Sequence, residues 1–251
     1  MINKLINYYN WGGRFLNDKF HKDASILSEK EINKRPFRYD VINYLLSSFS
    51  RDTNYLEIGV RNPENNFDKI NSKNKYSVDP GLEFKLNPVD FKLTSDVFFH
   101  ELDKGKILNK EIKFDVIFID GLHTAEQVDR DIINAIRYIQ NDGFIVLHDC
   151  NPPTEWHARE THKYEISPAM QNWNGTTWKA FVKFRNRSDL FTCCIDTDWG
   201  IGVISLKTQF GEKNPIQNPF YEYHVFSEKR EESLNLISFE EFKKFIENHN
   251  E

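Results

Sequence analysis

Short apolar runs alternate with longer amphipathic stretches along the chain, the pattern produced by strands and helices in succession. Arg38 to Phe49 places Val41, Ile42, Leu45 and Leu46 at helical spacing, and Asn54 to Val60 follows as a buried strand ending in a turn. Lys75 to Asp79, closed by Pro80-Gly81, predicts a second short strand, with a weaker third candidate around Phe91 to Leu93. Phe114 to Asp120 is almost continuously β-branched or aromatic, as in a strand covered on both faces. Thr124 caps the next predicted helix, its apolar stripe runs through Ala125, Val128, Ile132, Ala135, Ile136 and Ile139, and Asn141-Asp142-Gly143 ends it. Phe144 to Asp149 predicts another buried strand, stopped by Asn151-Pro152-Pro153.

Pro153 to Trp173 lacks periodicity and reads as a long loop or lid, a length usually reserved for function or disorder. Thr176 to Phe184 predicts a helix, and Leu190 to Asp196 with Gly200 to Leu206 an antiparallel pair turning at Asp198-Trp199-Gly200. Beyond Lys207 the tail is more polar, and only Phe239 to Ile246 predicts a helix. The expected fold is α/β: a Rossmann-like, doubly wound, mostly parallel seven-stranded sheet with an antiparallel C-terminal strand and helices on both faces. One domain over 1–206 is expected, with a helical N-terminal extension and a core over 54–206, followed by a C-terminal extension over 207–251 with a short helix.

Composition narrows the class of partner. With 39% hydrophobic and 28% charged residues the chain is of globular type, and a net charge of -5 offers no basic field to a phosphate backbone. A small molecule, not nucleic acid, is the expected partner. No run of about 18 apolar residues suggests a membrane span, and Met1 to Arg14 lacks the apolar stretch of a secretion signal, so no membrane association and a cytoplasmic location are expected. Cys193 and Cys194 are neighbours that point to opposite faces of a strand, which with Cys150 predicts reduced core thiols. A homo-oligomer is left open.

In open parallel sheets, ligands bind beyond the carboxyl ends of the strands. The residues at those ends are Glu57, Gly59, Asp79, Asp120 with His123, and His148-Asp149. Asp79 stands about 20 residues beyond Gly59, where an acid accepts hydrogen bonds from both ribose hydroxyls of a bound nucleoside. A turn carboxylate is the alternative. Gly59 would let backbone approach a cofactor, unless it is an ordinary turn glycine. The run from Gly59 to Asn66 lacks the later glycines of a dinucleotide fingerprint, which disfavours a pyrophosphate and hence a nicotinamide-dependent oxidoreductase. S-adenosylmethionine (SAM) meets the remaining conditions, with an adenosine for Asp79 and a cationic amino-acid tail near Glu57 and Gly59.

If the strands ending at Asp120 and Asp149 are neighbours, the two carboxylates converge with His123. Adjacent carboxylates repel unless a cation stands between them, and a divalent ion, Mg²⁺ or Mn²⁺, held by Asp120, His148 and Asp149 would serve. His148 is an unusual ligand for Mg²⁺. Strand-end hydrogen bonding is the alternative for His148 and Asp149. His123 is the candidate base for a hydroxyl attacking a methyl group.

The order of these residues resembles the class I SAM-dependent methyltransferases over about Asn54 to Leu206. Leu56-Glu57-Ile58-Gly59 is similar to their first motif, Val78-Asp79-Pro80 to their ribose-binding acid, and Thr94-Ser95-Asp96 to the region near adenine. That resemblance implies cofactor contacts from Glu57, Gly59, Asp79, Ser95, Asp96 and Asp120. The segments 118–124, 145–152, 173–179 and 198–204 resemble bacterial glycan and natural-product tailoring methyltransferases, which implies a sugar-like hydroxyl acceptor and a place in glycan biosynthesis. In metal-dependent sugar O-methyltransferases of that kind, an Asp-Gly-x-His segment supplies a ligand and the base. Asp120 and Asp149 would then be ligands and His123 the base, with His148 departing from the acid found there.

Trp173 and Trp178 offer faces suited to a sugar, and Asn174 a hydrogen bond to its hydroxyls, unless the indoles only seal the core. His157, Arg159, His162 and Lys163 would meet an anionic acceptor, or carry solvated loop charge. The competing readings are a non-catalytic SAM-binding or partner-binding module, and an N-methyltransferase acting on a small amine or amide.

Overall fold

Seven strands, β1 (Asn54–Ile58), β2 (Asn74–Val78), β3 (Phe114–Ile119), β4 (Ile139–Leu147), β5 (Phe191–Ile195), β6 (Ile201–Ser205) and β7 (Leu236–Ile237), form one sheet in the order β2-β1-β3-β4-β6-β5-β7. The computed structural model describes residues 2–211 and 216–249. Pairing is parallel except for β6, which runs antiparallel to both β4 and β5. This is the Rossmann-like arrangement expected from the sequence, with β6 as the reversed strand.

Every residue of β3 is buried, because helices cover both of its faces. On one face Leu56, Ile58, Ile117 and Ile119 pack against α4 (Ser95–Asp103), α5 (Ala125–Tyr138) and α6 (Thr177–Arg185) through Phe98, Val128, Ile132 and Phe181. On the other, Tyr55, Val116 and Phe118 meet α3 (Arg38–Ser47) and α9 (Phe239–His249) through Val41, Leu45 and Phe242. Each fully buried aliphatic or aromatic side chain contributes about 1.5–3 kcal/mol, so the stripe Val41, Ile42 and Leu45 suffices to seat α3.

Two local expectations change, and one helix is added. Asn141-Asp142-Gly143 does not end a helix: α5 stops at Tyr138, and these residues loop out within β4, whose register with β3 shifts between Ile139 and Phe144. Arg51 holds this bulge by pairing with Asp142 at 2.7 Å and with buried Asp115 at 2.6 Å. The strand candidate at Phe91 reduces to a single bridge to Val78. Helix α4 follows, started by the Thr94 hydroxyl accepting from the Val97 N–H, and the dense aromatic run Phe98-Phe99 masks its period in the sequence.

The tail returns to the sheet. Helices α7 (Tyr223–Glu228) and α8 (Arg230–Leu234) lead into β7, which pairs parallel to β5. Buried Arg185 fastens this return by donating to the carbonyls of Ser233, Glu232 and Thr192. At the other end, α1 (Ile2–Asn17) buries none of its residues, whereas α2 (Lys19–Asn33) buries Ala24, Ser28 and Glu31. All three cysteines are buried free thiols. Among the described residues no helix is long and apolar enough to cross a membrane.

Candidate active site

Ile58, Ile119 and Leu147 stand in register across β1, β3 and β4, so the residues that follow them emerge side by side at one edge of the sheet. Gly59 is required there, with φ +87° and a Cβ position 2.3 Å from the Asp120 carbonyl oxygen. The space is filled by the Asp120-Gly121 backbone, so Gly59 permits close packing of the two strand ends.

Asp120 and His148-Asp149 converge with His123 as the strand order requires. His123 is 3.2 Å from Asp120 through Nε2 and 3.1 Å from Asp149 through Nδ1. His148 Nδ1 also faces both acids, at 3.2 and 3.3 Å, and its Nε2 lies 3.4 Å from Asp198. Asp149 adopts φ +61°, a costly conformation for a side-chain-bearing residue, and Asn174 Nδ2 fixes its carboxylate by donating to Oδ1 at 2.8 Å.

Charge dominates this cluster. Burial opposes the cationic form of His123, but the Asp149 and Asp120 carboxylates outweigh it and raise its pKa to about 9. His148 is likewise raised despite burial, chiefly by Asp149 and Asp120, and its Nε2 lies 3.1 Å from Arg38 Nη1 as well as 3.4 Å from Asp198. Burial would raise the pKa of Asp120, yet His148, His123 and Arg38 hold it well below the usual carboxylate range. Asp198 falls to about 2, as His148 and Arg38 outweigh its burial.

Arg38 and Asp198 were not singled out from the sequence. Arg38 opens α3 and reaches across to the strand ends, with Nη1 3.1 Å from Asp198 and Nε 3.8 Å from Asp120. Asp198 also accepts the Arg38 backbone N–H at 2.8 Å, so the β5–β6 turn clamps the start of α3. The two residues are 160 positions apart, and no local pattern signals such a pairing.

The segment predicted as a lid is internally braced. His157 has no exposed surface; Thr154 Oγ1 and Ser28 Oγ lie 2.8 Å from its two ring nitrogens. Ser28 gives its proton to the Ala24 carbonyl, so it accepts from His157 Nε2–H and Nδ1 accepts from Thr154. Arg159 donates to the carbonyls of Trp156, Met170 and Asn172. These two residues frame the segment and do not present charge to an anion.

Burial, reinforced by Arg159, lowers the His157 pKa to about 4 from 6.5. The unfolded chain therefore gains a proton near pH 6.5 that the folded chain refuses until about 4, and stability falls over that window as pH falls. The expected loss is on the order of 3 kcal/mol. Urea midpoints from pH 7 to 4 should show it, and His157→Gln should flatten the slope.

Trp173 stacks on His123, with ring centroids 5.3 Å apart and planes 28° from parallel, and its indole N–H is held by the Arg159 carbonyl. Gly175 permits the contact: at φ +62° its Cβ position is 2.0 Å from the His123 carbonyl oxygen. Asn174 is wholly buried against Asp149, which makes it a positioning group for that carboxylate. Trp178 lies in the core on Phe226.

The other expected cofactor residues divide into two groups. Asp79 ties two strand-end loops together, accepting the Arg61 N–H at 2.8 Å and the Gly81 N–H at 2.6 Å. Glu57 is buried and accepts from Tyr55 and Asn66, with burial raising its pKa to about 7. Ser95 and Asp96, in the first turn of α4, instead face α5: Ser95 accepts from Gln127, and Asp96 pairs with Arg130 at 3.2 Å.

Asp120, His123 and Asp149 offer ligand atoms within 4.8 Å of one another, but the set does not fit a hard dication as it stands. Asp120 Oδ1 lies against both imidazoles, Asp149 Oδ2 against the same two, and Asp149 Oδ1 against Asn174. The remaining oxygen, Asp120 Oδ2, faces Arg38. A dication about 5 Å from a guanidinium is repelled by about 7 kcal/mol at an effective dielectric constant of about 20.

Residues 67–150, about a third of the chain, match the family described as a methyltransferase domain. Among curated proteins no sequence matches. Similar solved structures include an O-methyltransferase from Bacillus cereus in complex with S-adenosylhomocysteine (SAH), at 12% identity and TM-score 0.40, covering 75% of this chain and 90% of that one. The O-methyltransferase TomG from Streptomyces achromogenes, solved with SAM, aligns at 10% identity and TM-score 0.41 over 76% of this chain and 90% of its own. MycE of the mycinamycin biosynthetic pathway, solved with Mg, SAH and mycinamycin VI, aligns at 12% identity and TM-score 0.42, over 83% of this chain and 59% of its own. The sheet order is that of a Rossmann-like fold, and the segment matched by the methyltransferase-domain family lies within it.

Proposed function

We propose that the protein transfers the methyl group of SAM to a hydroxyl of a small acceptor, with His123 as the base. The observation that carries this reading is the placement of His123 between Asp120 and Asp149 at the strand ends, on the sheet edge that also bears Asp79. Bound SAM supplies an electrophilic methyl carbon, whose sulfur keeps the C–S electron pair as the new O–C bond forms. His123 takes the hydroxyl proton, and Asp120 and Asp149 hold its ring in line and stabilise the resulting imidazolium. Trp173 covers one face of the ring and limits its rotation. Asp79 would accept the ribose hydroxyls with lone pairs left by its two backbone bonds, and Glu57 lies at the end of the neighbouring strand. A sugar-like acceptor is the reading that the four tailoring-type segments support.

Isothermal titration with SAH tests the cofactor assignment. Wild type should bind, and Asp79→Ala should weaken binding roughly 10- to 100-fold through loss of charge-assisted hydrogen bonds. No binding by wild type would sink the reading. Mass spectrometry of reactions with SAM and hydroxylated acceptors, nucleotide-sugars among them, would then identify the acceptor by gain of one methyl group.

A further inference from the structure

Among the described residues, Arg38 is the one group at the strand-end cluster that comes from outside the strands and their loops. Its backbone N–H and guanidinium both bind Asp198, which is itself 5% exposed, so the cation is fixed and not a surface side chain that folded inward. Its Nε is buried, makes no hydrogen bond, and lies 3.8 Å from Asp120 Oδ2, the carboxylate oxygen that the imidazoles leave open. A divalent ion joining Asp120 to Asp149 through that oxygen would meet the guanidinium.

We infer that Arg38, anchored by Asp198, occupies the cation position of this site, so that the cluster takes no divalent ion and Asp120 and Asp149 are oriented by side-chain charge instead. The consequence for methyl transfer, that it proceeds without added metal, rests on the function proposed above. Arg38 is thus a positioning residue. It fixes the carboxylate that fixes His123, and its permanent charge excludes the metal at every working pH.

Electron paramagnetic resonance titration of the purified full chain with Mn²⁺ reads the site directly. Wild type, freed of metal with EDTA, should bind no Mn²⁺ below millimolar concentration, and its affinity for SAH should change less than twofold when Mg²⁺ is added. Arg38→Gln should acquire a Mn²⁺ site at least tenfold tighter than any in wild type, lost again when Asp149→Asn is added, whereas Arg38→Lys should keep the ion out. If Arg38→Gln does not melt cooperatively, Asp198→Asn, which releases the anchor, should show the same gain. One tight Mn²⁺ in wild type that disappears with Asp149→Asn would overturn the inference, as would variants that bind no more Mn²⁺ than wild type. Failure of SAH to bind would instead sink the methyltransferase reading, and the Mn²⁺ comparison would still decide the role of Arg38.

Discussion

Replacing His123 with alanine is expected to slow methyl transfer about 10²- to 10⁴-fold, the range lost with a positioned general base, while SAH binding stays within a few-fold of wild type. The imidazole is held between two carboxylates and under an indole, none of which can accept the proton in its place without losing the geometry. The pH profile sharpens the test. Asp149 and Asp120 raise the His123 pKa to about 9 against the opposing effect of burial. A base must be neutral to act, so the wild-type rate should rise with pH and level off above about 9. His123→Ala should lose that limb. A wild-type rate that is flat from pH 6 to 9, or a variant that keeps the limb, would refute the assignment.

The second large effect concerns stability. Arg185→Met should destabilise the fold by about 3–5 kcal/mol, read from urea unfolding, because it strips the buried Ser233 carbonyl of its side-chain donor and leaves the Glu232 and Thr192 carbonyls with Asn235 alone. Arg185 is 2% exposed and its donors are spent on the carbonyls of Ser233, Glu232 and Thr192 and on the Thr192 hydroxyl. Without a neighbouring carboxylate, burial lowers its pKa to about 10, so the charge is sustained by carbonyl dipoles alone. Methionine fills the volume and supplies no donor. Arg185→Lys should recover part of the loss, and a Met variant within 1 kcal/mol of wild type would show that water satisfies those carbonyls.

How far the sequence reaches can be seen at single residues. Asp120, His123 and Asp149 are readable because each lies within four residues of the end of an apolar strand, and parallel strands deliver their carboxyl ends to one edge. Asp79 is readable for the same reason. Asp198 lies in a turn legible from the sequence, but nothing local distinguishes it from an ordinary turn acid, and Arg38 opens a helix whose local signal is only its apolar stripe. Asn174 and His157 lie in the interior, and half-buried Arg159 spends its donors on main-chain carbonyls, where the aperiodic segment predicts exposed polar groups. A polar residue in an aperiodic segment gives no sign of its burial until the partners that satisfy it, here Asp149, Ser28 and main-chain carbonyls, are known.

The sequence by itself determined the layers. Runs of β-branched and aromatic residues must be covered on both faces, and amphipathic stripes must cover them, so the parallel sheet and the edge that bears its chemistry follow from local pattern. Tertiary structure decided what stands around that chemistry. The clamp of Asp198 on Arg38, the closure of Asn174 and Trp173 over Asp149 and His123, and the return of the tail as β7 all join residues far apart in the chain. Their energies come from charge and hydrogen bonding in a dry interior, where partner identity is set by which strand ends and loops the fold brings together.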